Sequence, residues 1–281
     1  MLPGMARRGE SWLARGHQEN MVDVAAYLER IGYSGSRTPS ADTLRDIHRA
    51  HLFSVPFENL DIGWGREIRM DQEAFVRKIV EHKRGGFCYE LNGAFSMLLQ
   101  ALGFPVTLLS ARVPLADGSD SPEFDHLALR VDLNQPWLAD VGFGDCFVDP
   151  LPLQVGVEQE QQGKGFRIVE VGDSLRLERR DGEAGWETQY LFGLKSRRLE
   201  EFAEMCGYHQ TSPQSPFTRK RVCSRATPEG RITLSEMKLI MTHGDRREER
   251  SLTSEAEWRA ALAYHFGVRA PQPLCDRQSK D

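Results

Sequence analysis

The sequence predicts an α+β fold: a helical N-terminal part, an antiparallel β-rich middle and a mixed α/β C-terminal part. Three observations carry this reading. Between Val22 and Gly103 apolar residues recur at steps of three and four, the period of helices with one buried face. From Val106 to Phe192, short β-branched and aromatic runs are separated by turn pairs such as Asp117-Gly118, Gly172-Asp173 and Asp181-Gly182. Beyond Arg198 helical and strand patterns alternate. The resulting divisions are a disordered extension at 1–20, where no periodicity holds, then 21–105, 106–205 and 206–281.

Taken in order, the first helix runs from Met21 through Tyr27 and Leu28 to Ile31 and stops near Gly32. Thr38-Pro39 reads as an N-cap with proline at the first helical position, opening a helix through Leu44, Ile47 and His51. Phe53 to Leu60 is extended ahead of Pro56, because a residue before proline is pushed out of the helical region. A helix from Asp71 to His82 then leads into Gly85-Gly86. The following helix, stopped by Gly103 and Pro105, shows its apolar stripe at Leu91, Ala94, Phe95, Leu98, Leu99 and Leu102.

Strands are expected at Val106 to Val113, Asp125 to Leu133, Trp137 to Phe143, Gly165 to Val171, Ser174 to Arg179 and Glu187 to Phe192. Their number and spacing suit a small antiparallel barrel or sandwich. A helix at Leu199 to Cys206, a proline-marked loop (Ser212-Pro213, Ser215-Pro216), strands near Arg219 to Ser224, Gly230 to Leu234 and Glu236 to Met241, and a helix from Ser254 to Phe266 complete the chain.

Composition narrows the function. A formal net charge of −5 with scattered lysines and arginines leaves no basic footprint for nucleic acid. No apolar run approaches the roughly 20 residues of a membrane helix, and no signal peptide or twin-arginine segment is recognisable, so a cytoplasmic location is expected. The five cysteines, Cys88, Cys146, Cys206, Cys223 and Cys275, are widely spaced with no CxxC pair, which indicates neither a disulfide framework nor a metal site.

The chemistry gathers on Cys88. One step back along the apolar stripe, it falls in the first turn of its helix, where unpaired N–H groups and the helix dipole favour a thiolate. Lowering a thiol pKa by about three units takes roughly 4 kcal/mol, and a helix terminus supplies about 1 to 2. A reactive Cys88 therefore needs a cationic neighbour, usually histidine. In the hairpin from Phe124 to Phe143, alternation puts His126, Ala128 and Arg130 on one face, opposite Leu127, Leu129 and Val131. With the turn centred on Asn134, Asp140 faces Ala128, diagonal to His126 and bridgeable over that small residue. A carboxylate among Leu138, Ala139 and Val141 requires a fixed partner. The remaining histidines, His48 and His209 among them, show no comparable partner pattern.

Arg84-Gly85-Gly86-Phe87-Cys88, Phe124-Asp125-His126 and Ala139-Asp140-Val141-Gly142-Phe143-Gly144 resemble the arylamine N-acetyltransferase family in motif, order and spacing. Pro56-Phe57-Glu58-Asn59-Leu60, Ser212-Pro213-Gln214-Ser215-Pro216-Phe217, Gly230-Arg231-Ile232-Thr233-Leu234 and the ending Glu257-Trp258 through Phe266-Gly267 extend the resemblance over Met21 to Val268. The resemblance implies a helical N-terminal domain, an antiparallel β-barrel middle domain and a mixed α/β C-terminal lid, with a cysteine-protease-like triad on Cys88, His126 and Asp140. It further implies acetyl-CoA as acyl donor, an acetyl-cysteine thioester, an aromatic amine, arylhydroxylamine or hydrazine as acceptor, and no metal. Phe57, Phe143 and Phe217 are candidates for the aromatic slot, Gly142, Thr227 and Gly230 for CoA contacts, and Glu58 and Asn59 for bracing the triad. The Cys88 N–H is a candidate oxyanion donor. Transglutaminase-like and papain-like enzymes, amide synthases closing macrolactams, and an inert small-molecule binder are the rival readings.

Overall fold

The computed structural model describes residues 22–271; the expected extension at 1–20 and the tail beyond Pro271 lie outside the described residues. Helix α1 (Val24–Arg30) is capped by Asp23, whose carboxylate accepts the Ala26 N–H at 3.0 Å. Helix α2 (Ala41–Ser54) begins two residues later than Thr38-Pro39 suggested, because Ser40 is the extended residue whose hydroxyl accepts the Thr43 N–H. It also continues to Ser54, which shortens the expected extended run to β1 (Phe57–Glu58), followed by α3 (Leu60–Gly63). The expected 71–82 helix divides into α4 (Gln72–Val76), capped by Asp71, and a π-helical turn at Arg77–Glu81.

Helix α5 (Cys88–Ala101) departs from the one-faced reading: every residue from Cys88 to Leu99 is buried. Its polar residues Glu90, Asn92 and Ser96 consequently all have hydrogen-bond partners inside the protein.

Eight antiparallel strands follow: β2 (Val106–Arg112), β3 (His126–Asp132), β4 (Pro136–Ala139), β5 (Leu151–Pro152), β6 (Gln159–Gln161), β7 (Lys164–Val171), β8 (Ser174–Asp181) and β9 (Glu187–Phe192). Their order, β5-β4-β3-β2-β9-β8-β7-β6, makes a nearly closed barrel-like sheet, and Gln159 Nε2 of one edge strand donates to the Pro152 carbonyl of the other. The barrel thus prevails over the sandwich. Leu109, Ala128, Leu138, Phe166, Ile168, Leu177 and Tyr190 fill one core, while the opposite face of β3 (Leu127, Leu129, Val131) packs with α5 in another.

Strand β4 ends at Ala139 rather than Phe143, because the Asp140 carboxylate accepts the Gly142 N–H and turns the chain out of the ladder. Helices α6 (Ala203–Thr211) and α7 (Pro216–Arg219) precede a second sheet of order β1-β10-β11-β12-β13, comprising β10 (Val222–Thr227), β11 (Gly230–Ser235), β12 (Lys238–His243) and β13 (Arg246–Ser251). Phe57 of β1 pairs with Ser224 of β10, so the N-terminal and C-terminal parts share this sheet. Helix α8 (Glu255–Phe266), capped by Ser254, packs Trp258, Leu262 and Phe266 against Leu234 and Leu239. Among the described residues no helix is long and apolar enough to cross a membrane.

Candidate active site

Cys88 is the first residue of α5 and is 4% exposed. The turn that delivers it is held by buried charges. Glu90 Oε2 accepts the Phe87 N–H at 3.1 Å, and its Oε1 meets Lys78 Nζ at 2.7 Å. Lys78 also reaches Asp61 at 2.7 Å, while Arg84 bridges Glu58 at 2.7 Å and Asp61 at 3.0 Å. Gly85 is required here: a Cβ would lie 1.9 Å from the Pro56 carbonyl oxygen.

Three carboxylates share the buried cations Lys78 and Arg84, with the more exposed Arg66 3.8 Å from Asp61, and Glu90 is the one left most perturbed. Burial pushes its carboxyl up to about 7 against the pull of Lys78. Burial disfavours the Lys78 ammonium, yet Glu90, Glu58 and Asp61 outweigh it and raise its pKa. The folded protein therefore binds the Glu90 proton more tightly than the unfolded chain does. The stability this confers is full below the ordinary value of 4.5 and is lost as pH rises through about 7. At about 1.4 kcal/mol per pH unit it amounts to roughly 3 kcal/mol. Glu90→Gln is expected to flatten the stability profile between about pH 4.5 and 7, read by denaturant unfolding across that range.

The hairpin supplies the second half of the site. Its register pairs Leu129 with Ala139 and Val131 with Trp137, the pairing expected of a turn centred on Asn134. His126 Nε2 lies 2.7 Å from Asp140 Oδ2, with both side chains almost fully buried. Asp140 Oδ1 accepts the Asn92 amide at 2.8 Å and the Gly142 N–H at 2.9 Å. Burial alone would raise the Asp140 carboxyl, but the His126 ring, the Asn92 amide and the Gly142 N–H hold it below the ordinary carboxylate range. A carboxylate only accepts, so Nε2 carries the ring proton and Nδ1 is left for exchange.

Cys88 and His126 both line a cavity of about 810 Å³, whose wall also includes Phe57, Phe143, Phe217 and Gly142. The Phe57 and Phe217 rings lie 6.2 Å apart, and Phe143 meets the His126 ring edge-on at 5.2 Å. Among the described residues no cluster of three or more histidine, cysteine, aspartate or glutamate side chains is placed to hold a metal ion.

Residues 40–274 match the profile of a family described as N-acetyltransferase. An arylamine N-acetyltransferase of Escherichia coli K12 is 33% identical over 246 residues, 86% of this chain and 87% of its own length. The chain belongs to the arylamine N-acetyltransferase family. The solved structure of the Mycobacterium marinum arylamine N-acetyltransferase in complex with CoA superposes with a TM-score of 0.82 at 30% identity, covering 88% of this chain and 93% of that one. Proansamycin X synthase of Amycolatopsis mediterranei is 29% identical, covering 87% of this chain and 96% of its own. An acyltransferase is therefore the enzyme class to which this site belongs.

For an arylamine N-acetyltransferase, the resting electrostatics of the sulfur are instructive. The sequence reading expects a thiolate paired with an imidazolium. In the structure burial pushes the Cys88 thiol well up; Asp125, then Asp140, add to this, and only the Leu127 N–H opposes them. The sulfur therefore depends on a base that takes its proton.

Three further groups of residues have defined surroundings. Gly142 lies in the cavity wall, and it is a glycine because a Cβ there would stand 2.8 Å from both Cys88 Cα and the Asn92 amide nitrogen. Thr227 and Gly230 face each other at the β10–β11 turn, away from the cavity wall, and a Cβ on Gly230 would lie 2.1 Å from the Thr242 carbonyl. Two other histidines have polar neighbours: His48 Nε2 accepts the Asp140 N–H at 3.1 Å, and His209 Nε2 lies 3.0 Å from Asp125 Oδ1, an ion-pair distance without hydrogen-bond alignment.

Glu58 holds Arg84, whereas Asn59 donates to the Phe217 and Lys220 carbonyls and so fixes the α7 segment that presents Phe217. Asn92 was missed. Four residues after Cys88 on the same helix, it ties α5 to the hairpin through the Leu127 carbonyl, the Asp140 carboxylate and the Val141 N–H. A buried amide within an apolar helix was the available signal.

Proposed function

We propose that this protein transfers the acetyl group of acetyl-CoA to arylamines, arylhydroxylamines or hydrazines through a thioester on Cys88. The observation that carries this reading is the His126–Asp140 pair in the wall of the cavity that holds Cys88. Nδ1 of His126 takes the thiol proton as the sulfur attacks the acetyl carbonyl, and returns it to the departing CoA thiolate. The acceptor nitrogen then attacks the thioester, forming the C–N bond as the C–S bond breaks. Its surplus proton passes through His126 to the Cys88 sulfur.

Asp140 is the positioning residue that keeps the ring in the correct tautomer, the relation found in cysteine-protease-like triads. The Cys88 N–H, at the first helical position, has no intrahelical partner and is the oxyanion donor. Phe57, Phe143 and Phe217 form the apolar slot for the acceptor ring, and the 206–281 segment serves as a lid by contributing Tyr208, His209 and Phe217 to the wall. CoA is held by contacts of this wall, and the enzyme works in the cytoplasm.

The test is an acceptor screen with acetyl-CoA, comparing wild type with Cys88→Ala and reading acetylated product by mass. Acetylated arylamine from wild type alone supports the proposal. Closure of a carrier-bound chain to an amide, with no arylamine acetylated, overturns it in favour of the amide-synthase reading.

A further inference from the structure

The cavity contains a second acid–histidine pair. Asp125 lines the wall beside Cys88 and His126, and His209 Nε2 stands 3.0 Å from Asp125 Oδ1, close enough for an ion pair though not aligned as a hydrogen bond. His209 is 3% exposed and belongs to α6, a different element from the hairpin that carries His126. Its other nitrogen, Nδ1, lies 3.3 Å from Ser215 Oγ, and its ring meets the edge of Phe217 at 5.0 Å.

The backbone at Asp125 is also constrained. Phe124 adopts φ of 69°, an unusual conformation for a phenylalanine, and the Phe124 and Asp125 carbonyls both accept the hydroxyl of Tyr89, the residue next to Cys88. Strained backbone, a buried histidine and a tether to the nucleophile's neighbour thus converge on one carboxylate. That carboxylate hinders the formation of a thiolate at Cys88. Among the described residues no lysine or arginine lines the cavity to offset it. Its place is explained if it serves the other half-reaction.

We propose that Asp125 receives an N–H of the acceptor as it attacks acetyl-Cys88, with His209 as the positioning residue that holds the carboxylate. This rests on the acetyl-transfer reading above. A primary amine or hydrazine nitrogen carries two N–H bonds and one lone pair. With one N–H directed to His126 and the other to Asp125, the lone pair is left facing the thioester carbon. The site therefore favours acceptors that present two donors at the reacting group, two N–H bonds in an arylamine or hydrazine or one N–H and one O–H in an arylhydroxylamine, and an N-methylated arylamine loses the Asp125 contact.

The experiment compares wild type, Asp125→Ala and His209→Gln in the two half-reactions: formation of acetyl-Cys88 from acetyl-CoA, and its discharge by para-anisidine or N-methyl-para-anisidine. In Asp125→Ala, acetyl-Cys88 is expected to form faster and Cys88 to react faster with iodoacetamide, while the KM for para-anisidine rises about tenfold, the size of one charge-assisted hydrogen bond. The preference for para-anisidine over its N-methyl counterpart narrows in the same variant, and His209→Gln moves each quantity in the same direction by less. An unchanged acceptor KM and preference, or equal slowing of both half-reactions as a structural role would give, overturns the assignment. Wild type that forms no acetyl-Cys88 overturns the acetyl-transfer reading as well, which separates the two failures.

Discussion

Cys88→Ala is expected to abolish acetyl transfer, by at least about 10⁴-fold, while the fold persists. The geometry demands both halves of this result. No other cysteine can substitute among the described residues: Cys146, Cys206 and Cys223 are buried and line no part of the cavity. Burial pushes the Cys206 thiol up to about 12, and raises Cys223 well above its ordinary range. The lost sulfur takes little packing with it, because Cys88 stands in the first turn against the cavity, so stability should fall by roughly 1 kcal/mol. CoA release for activity and thermal unfolding for stability read the two effects separately.

Asp140→Asn is expected to lower turnover by roughly 10³ to 10⁴. The reason lies in which atoms the carboxylate satisfies. Oδ1 accepts two donors, the Asn92 amide and the Gly142 N–H, so an asparagine must keep its oxygen there. Its NH₂ then faces His126 Nε2, where two donors would meet. The ring can resolve this only by moving its proton to Nδ1, which removes the lone pair that takes the Cys88 proton. The expected signature is a drop in acylation rate by acetyl-CoA with little change in the affinity for acceptor, measured in single-turnover experiments.

The parts of the fold legible in the sequence were those where one apolar period dominates. The β3–β4 register followed from the alternation of Leu127, Leu129 and Val131 and from the turn at Asn134, so His126 and Asp140 could be placed on one side before any coordinates. Strand β13 was missed because Arg246–Ser251 is fully exposed and carries no apolar residue; only its ladder with β12 makes it a strand. The burial of Glu90 and Asn92 was equally hidden, since their partners Lys78 and Asp140 come from distant elements and from a π-helical turn with no sequence signature of its own. The pairing of Asp125 with His209 spans more than eighty residues, and nothing in either local pattern announces it.

The account stands on a thioester at one sulfur, and peptide mapping tests it most directly. After incubation with acetyl-CoA in the absence of any acceptor, the peptide bearing Cys88 should carry one acetyl group, which disappears with formation of acetylated amine when an arylamine is added. An unmodified Cys88 in an enzyme that nonetheless acetylates the arylamine, or an acetyl group on a different residue that turns over in its place, would contradict it.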